Sequence, residues 1–591
     1  MDLRRTLFAR WARRSVRGYS RRPFGRLVSH FLARLVRGGR DSTSAEFELG
    51  IGAFLGLLAA PGAVASFVLL NKYSSLLYWV HGWRHVDVYQ ISLPDKYLFL
   101  SLAMAITGIL TVLKWDRILP DSQDYLNLAP LPIPPRTIFL ANAAALAIAA
   151  MVIGADVSVI PTVLFPLFAT ASAGASVGAT LQFIGVHGFV VLLASGFTFF
   201  ASFAVLGSLS AVLPREAFRA CSSWVRGILL VGFVMLLFTG FAGQSLVHRL
   251  ELAPHSALRW LPSLWYLGVY QSLQHRAGPE LAGLAATGLK AAAAAFALMA
   301  LTYAVGYRRR FAGVLEGGRR PSEQRLYALA LRSLDLFSYR TPGFERACHR
   351  FTLRALLRSE AHRLVIAVSI GLGWLLAFQT ASSAPIPPSP IPPLTLLEAP
   401  LIGAYLLILG LRIAFDLPAS VAAAWIFRAI LDPRENRTLR VARRVILSFL
   451  APLVLLPTLA FFWWRWNFPI AVGHTLYVLA LSLCLIEMLL AGYRKIPLTC
   501  PVPGFRDHFL MLCLIQFFGF EIFTRLGAGA ELWMFAEPVG FLLVPGGMLA
   551  AWLWNRQRLK AGQEAGEIEA GLTFENAPLR GIERLNLSDS A

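Results

Sequence analysis

Cysteine and charge are what this chain has least of. Its five cysteines, Cys221, Cys348, Cys484, Cys500 and Cys513, are scattered over 591 residues without a CxxC pair or a metal-ligand spacing. That pattern argues against a disulfide framework and against a cysteine-built metal site. Charged residues make up 15% of the chain, where a soluble protein carries about a quarter. Acids are scarcer than bases, 33 against 55, which leaves a formal charge of +22. No GxxxxGK[ST] phosphate loop, HExxH, GxSxG or dinucleotide fingerprint occurs, so the familiar nucleotide, zinc-hydrolase and serine-hydrolase chemistries have no motif here. The short alternating segments of a transmembrane β-barrel are missing as well.

What the chain has in excess is apolar. It is 56% hydrophobic with a mean hydropathy of +0.59, and the apolar residues fall in runs of roughly twenty, the length that crosses a bilayer core. The class this predicts is an all-α polytopic integral membrane protein. Arginines cluster in alternate loops, as positive-inside topology requires. The basic charge therefore needs no nucleic acid to explain it; the partner it implies is the lipid bilayer. The arginine pattern places both termini in the cytoplasm.

About twelve crossings are expected, in two parallel six-helix halves. The first half, residues 47–307, places them near Phe47–Leu70, Tyr97–Leu113, Thr137–Ile153, Phe183–Leu213, Ile228–Ala242 and Leu281–Val305. The second half, residues 364–554, places them near Leu364–Phe378, Leu397–Ala414, Val445–Phe462, Ile470–Leu490, His508–Phe523 and Trp533–Trp554. Gly154–Gln182, rich in glycine, alanine and proline, reads as a broken or re-entrant segment or an outer loop. Trp260, Leu264, Trp265, Leu267 and Tyr270 read as a segment lying at the outer interface, and Trp463, Trp464 and Trp466 as an aromatic anchor.

Each half is preceded by an amphipathic helix. In the basic N-terminal region, residues 1–46, Phe24, Leu27, Val28, Phe31, Leu32, Leu35 and Val36 form one helical stripe, with Arg26, Arg34 and Arg37 off it. It reads as an interfacial helix on the inner leaflet. In the cytoplasmic linker, residues 308–363, Phe344, Ala347, Cys348, Phe351 and Ala355 repeat that spacing. The tail, residues 555–591, is polar and reads as a cytoplasmic extension.

Charge inside a crossing is costly and is a functional hypothesis by default. Lys290, Glu487 and Glu521 are the candidates, with Lys290 expected to face the bundle interior. His187 and His474 read as histidines satisfied within the bundle.

The most informative connection is Lys114–Asn142, KWDRILPDSQDYLNLAPLPIPPRTIFLAN. Its prolines hinder a continuous helix, and Asp116, Arg117, Asp121 and Asp124 interleave both signs of charge. The stretch from Trp115 to Leu128 reads as a cytoplasmic docking surface. An acidic loop could also hold a divalent metal with a sugar nucleotide, which keeps open a membrane enzyme acting on lipid or lipid-linked sugar; a non-transporting scaffold is a third reading.

From Asp116 to Asn142 the chain resembles permeases of the ABC-2 type. Those carry, after the second crossing, an acidic–basic turn, a PLP run and an arginine before the next crossing. The matching positions here are Asp116, Arg117, Asp121, Asp124 and Tyr125, then Pro130, Leu131 and Pro132, then Arg136, with Phe139 and Ala141 opening the crossing. An amphipathic helix before the first crossing and six crossings per domain are also features of the family. The resemblance implies a transport subunit of the cytoplasmic membrane with no catalytic, metal or ATP site of its own, the ATP being bound by a separate cytosolic subunit. The corresponding stretch of the second half, Asp416–Arg444, lacks the PLP run.

Overall fold

In the computed structural model, the described residues are 23–36, 51–80, 88–115, 134–172, 175–241, 257–314, 343–382, 391–417, 438–490 and 509–537, with a few isolated positions besides. Helix is the only regular structure among them, and nine of the helices are long and apolar enough to cross a bilayer. Large apolar side chains such as Phe67, Val68, Met151, Phe378 and Leu476 stand exposed on the helix surfaces, which a bilayer would cover. The architecture is that of a polytopic helical membrane protein. The chain divides into two compact units after Pro321.

The first unit contains α1 (Pro23–Val36), α2 (Ile51–Val80), α3 (Val88–Ile91), α4 (Leu93–Leu113), α5 (Pro135–Ser172), α6 (Val177–Val212), α7 (Arg215–Phe241), α8 (Pro262–Leu273) and α9 (Pro279–Val314). Helix α4 is its axis and packs against α2, α5, α6, α7 and α8. Pro94 sits in its first turn with Asp95, as helix starts favour. Tyr97, Leu100, Ala105 and Val112 along its length are fully buried.

Several sequence expectations change here. Residues 154–182 are largely helical: α5 continues to Ser172 and α6 begins at Val177. Pro161 and Pro166 lie inside α5. Membrane helices tolerate proline where neighbours re-satisfy the backbone. Gly62 of α2 makes room, since a Cβ there would lie 2.7 Å from Pro161 Cγ and 2.9 Å from the Val157 carbonyl that Pro161 frees. Helix α1 forms as the periodicity predicts. Its stripe is not left to lipid: Leu27 and Phe31 are buried against Ile138, Ala141 and Ala145 of α5. Helix α8 is packed within the unit. Leu264, Leu267 and Tyr270 are fully buried, and α8 folds back along α9 so closely that a Cβ on Gly268 would meet the Leu281 carbonyl at 2.3 Å.

The second unit contains α10 (Gly343–Arg358), α11 (Glu360–Ser382), α12 (Leu394–Asp416), α13 (Thr438–Leu450), α14 (Leu456–Arg465), α15 (Phe468–Leu489), α16 (Phe509–Glu521) and α17 (Gly527–Ala536). Single π-turns, Ala451–Leu455 and Ile522–Leu526, run α13 into α14 and α16 into α17. Here α12 is central. Leu397, Leu401, Ile408 and Leu411 anchor the core, with α11, α13, α15 and α17 around it. The expected start of a last crossing at Trp533 is corrected. Trp533–Ala536 closes α17, continuous with α16, because Gly527 and Ala528 let that helix keep close to Leu401 and Leu481.

Helix α10 forms where the spacing places it. Ala347 and Phe351 are exposed, while Glu345, Cys348, His349, Thr352, Leu353 and Leu356 are buried. The inward face mixes apolar and polar side chains, and α13 offers the polar ones partners. His349 Nε2 is 3.1 Å from Ser448 Oγ, and Glu345 meets two arginines.

Candidate functional site

The residues of the expected docking surface are Asp116, Arg117, Asp121, Asp124, Tyr125, Pro130 and Pro132, and all of them lie outside the described residues. Its two flanks are described. Arg136 is exposed on the first turn of α5. Trp115 is buried at the end of α4, with its indole Nε1 lacking a partner among the described residues. Trp115 therefore belongs to the core, not to a docking surface.

Of the intramembrane charges, Lys290 is exposed on α9 rather than turned into the bundle. Leu289 precedes it and a run of alanines follows, and no acid or carbonyl of the bundle reaches it among the described contacts. Glu487 of α15 pairs with Arg443 of α13. Glu521 of α16 and Glu398 of α12 share Arg525, each at 3.8 Å. Arg525 is largely exposed, so that triad contributes little.

The structure assembles a buried polar centre in the first unit that the sequence reading left out. Lys96, fully buried on α4, donates to the Tyr89 carbonyl at 3.0 Å and to Gln274 Oε1 at 2.8 Å. Its ammonium lies 5.3 Å from the Phe183 ring and 5.2 Å from the Tyr270 ring, a cation–π setting. The Tyr270 hydroxyl is hydrogen-bonded to His187 Nδ1 at 2.9 Å, and Arg276 stacks 4.4 Å from the Tyr89 ring. Burial raises the Tyr270 phenol well above its ordinary range, so it remains a neutral donor. Beside this centre, Asp95 accepts from Lys72 at 2.7 Å and from Tyr73 at 2.6 Å. These contacts tie the end of α8 to α3, α4 and α6, and hold α2 to α4.

The second unit gathers its charges at one end of α13. Buried Glu345 accepts from Arg444 at 2.5 Å and from Arg440 at 3.3 Å. Arg412 holds Asp416 at 2.5 Å and donates to the Leu489 carbonyl at 3.0 Å. With Arg443–Glu487, these pairs bind α10, α13, α12 and α15 into one network. Nearer the N-terminal end of α15, His474 Nδ1 sits 2.8 and 2.9 Å from the carboxylate oxygens of Glu531 on α17, with both residues buried.

Lys96 and Glu531 were missed for a traceable reason. The sequence reading began a crossing at Tyr97, although Pro94 and Asp95 mark a helix start that would have carried Lys96 inside. Glu531 falls in the gap between the two expected last crossings, a stretch that the structure makes part of α17.

Among the described residues, these polar centres position helices against one another. Among the described residues, no group of three His, Cys, Asp or Glu side chains is placed to hold a metal ion. The polar centres join helices that would otherwise slide on apolar surfaces. No protein-family model, curated protein or solved structure matches the chain.

Proposed function

We propose that this chain is the permease subunit of an ABC-2-like exporter. In this reading two six-crossing domains are fused in the cytoplasmic membrane, both termini are cytoplasmic, and a separate ATP-binding subunit drives them. One observation carries the reading. In each unit an amphipathic helix precedes the first crossing and packs against the helix that follows the second connection, α1 on α5 and α10 on α13. In each unit the helix before that connection, α4 or α12, is the central one. A push on residues 116–133 or 418–437 would thus be felt at once by a central helix and by a helix clamped to the membrane-surface element. That is the mechanical requirement for a permease moved by an external motor.

The test is a pull-down from native membranes under mild detergent, wild type beside Asp121→Arg/Asp124→Arg. Wild type should bring down an ATPase, and the double variant should lose most of it, since like charges meeting at an interface cost up to several kcal/mol. Insertion should be unchanged. Recovery of no ATPase, together with metal-dependent turnover of a lipid-linked substrate by the purified chain alone, would replace this reading with the membrane-enzyme one.

A further inference from the structure

We propose that His474 and Glu531 form a proton-binding site inside the second unit, carrying one shared proton while α15 and α17 stay in contact. The two residues face each other across these helices, buried and hydrogen-bonded at 2.8 and 2.9 Å. With one proton between them the pair is neutral overall, either as carboxylic acid and imidazole or as carboxylate and imidazolium. Removing that proton leaves a lone buried anion, and adding another leaves a lone buried cation. Both are disfavoured where water is excluded.

The surroundings leave the pair to itself. His474 Nε2 is buried without a partner among the described residues, and the Phe462 ring lies 4.2 Å from the imidazole centroid. Of the neighbouring titratable groups, Tyr477 on α15 donates its hydroxyl to the Gly527 carbonyl at 2.8 Å. Glu398 on α12 and Glu521 on α16 are engaged with Arg525, and Arg465 on α14 stacks over Trp466. At the far end of α12 and α15, Arg412–Asp416 and Arg443–Glu487 are closed pairs, and Tyr405 donates to Gln516. Glu537 follows α17 and is exposed. Among the described residues no second cation reaches Glu531, so its charge balance depends on the proton.

The first unit supplies a contrast. His187 occupies a similar place near the start of α6, is equally buried, and also has an orphaned Nε2. Its Nδ1 partner is the Tyr270 phenol, and Lys96 stands against the same ring. A neutral phenol asks for no extra proton, and a nearby ammonium opposes one. Among the described residues, the buried histidine that meets a carboxylate is His474, in the second unit.

This inference needs only a membrane-buried second unit and does not rest on the permease reading. The full chain in nanodiscs of phosphatidylcholine and phosphatidylglycerol is unfolded with dodecyl sulfate at pH 8, and released protons are counted. Unfolded Glu and His, with ordinary values of about 4.3 and 6.5, are both unprotonated there. Wild type should release about one proton per chain more than His474→Asn/Glu531→Gln; equal release overturns the site. If the double variant does not fold, the wild type alone decides. A nitrogen-15 and carbon-13 magnetic-resonance experiment at pH 8 identifies the histidine ring in contact with a glutamate carboxyl. A carboxylic acid or an imidazolium in that contact supports the site, and an ionised carboxylate against a neutral imidazole overturns it.

Discussion

Two lysines show how burial, and not position in an apolar run, decides what a charge does. Lys290 stands in the middle of an alanine-rich stretch, yet its side chain is exposed; Lys96 stands at the edge of a run and is fully buried. Lys290→Met should leave the melting temperature in detergent unchanged. Lys96→Met should lower it clearly, because Gln274 Oε1 loses its ammonium donor at a cost of about 1–3 kcal/mol, while the Tyr89 carbonyl keeps the Ser92 hydroxyl. Cys348 gives a second residue-scale test. Burial first, and then the Glu345 carboxylate, push its thiol up to about 11. At pH 8 only about 0.1% is thiolate, so maleimide should label Cys348 only after denaturation, as read by mass spectrometry. The sign for stability follows. The folded value lies above the unfolded one of about 8.5, so the folded state keeps its advantage below that pH and loses it as pH rises towards 11.

At the scale of elements, close approach and ion pairing make separable predictions. Gly268→Ala would put a methyl 2.3 Å from the Leu281 carbonyl of α9. Backbone cannot rotate away, so α8 must shift at a cost of about 1–3 kcal/mol, and the Lys96–Gln274 bond should open with it. Unfolding in dodecyl sulfate would measure the first effect and a Gln274→Ala cycle the second. For α10, Glu345→Ala removes the acceptor of Arg444 and should cost about 3 kcal/mol, the low end for a broken buried pair because Arg444 keeps some water. Arg440→Ala should cost far less, since that side chain is 64% exposed.

At the scale of the whole molecule, the positive-inside reading makes a topology prediction that the structure sharpens. Gly278 and Ser382 are exposed. Gly278→Cys and Ser382→Cys should be labelled by an impermeant thiol reagent on intact cells, and Arg358→Cys only after permeabilisation. Any of the three behaving oppositely overturns the assignment of sides.

Much of the architecture was legible because bilayer crossing is a local constraint. An apolar run near twenty residues must be helix, since hydrocarbon offers its backbone no other partner. Likewise the 3.6-residue stripe at Leu27, Val28, Phe31 and Leu32 reports α1 without help from the rest of the chain. What no single stretch contains is the neighbour. Whether α10 turns Phe351 or Glu345 inward depends on Arg440 and Arg444, about a hundred positions away. Helix α8 is buried only because α9 lets Gly268 approach its backbone. The centres at Lys96 and at His474–Glu531 join residues 178 and 57 positions apart. Hydropathy along a chain measures how each segment partitions between water and lipid. It carries no information on which polar groups meet, and that is decided only when the helices pack.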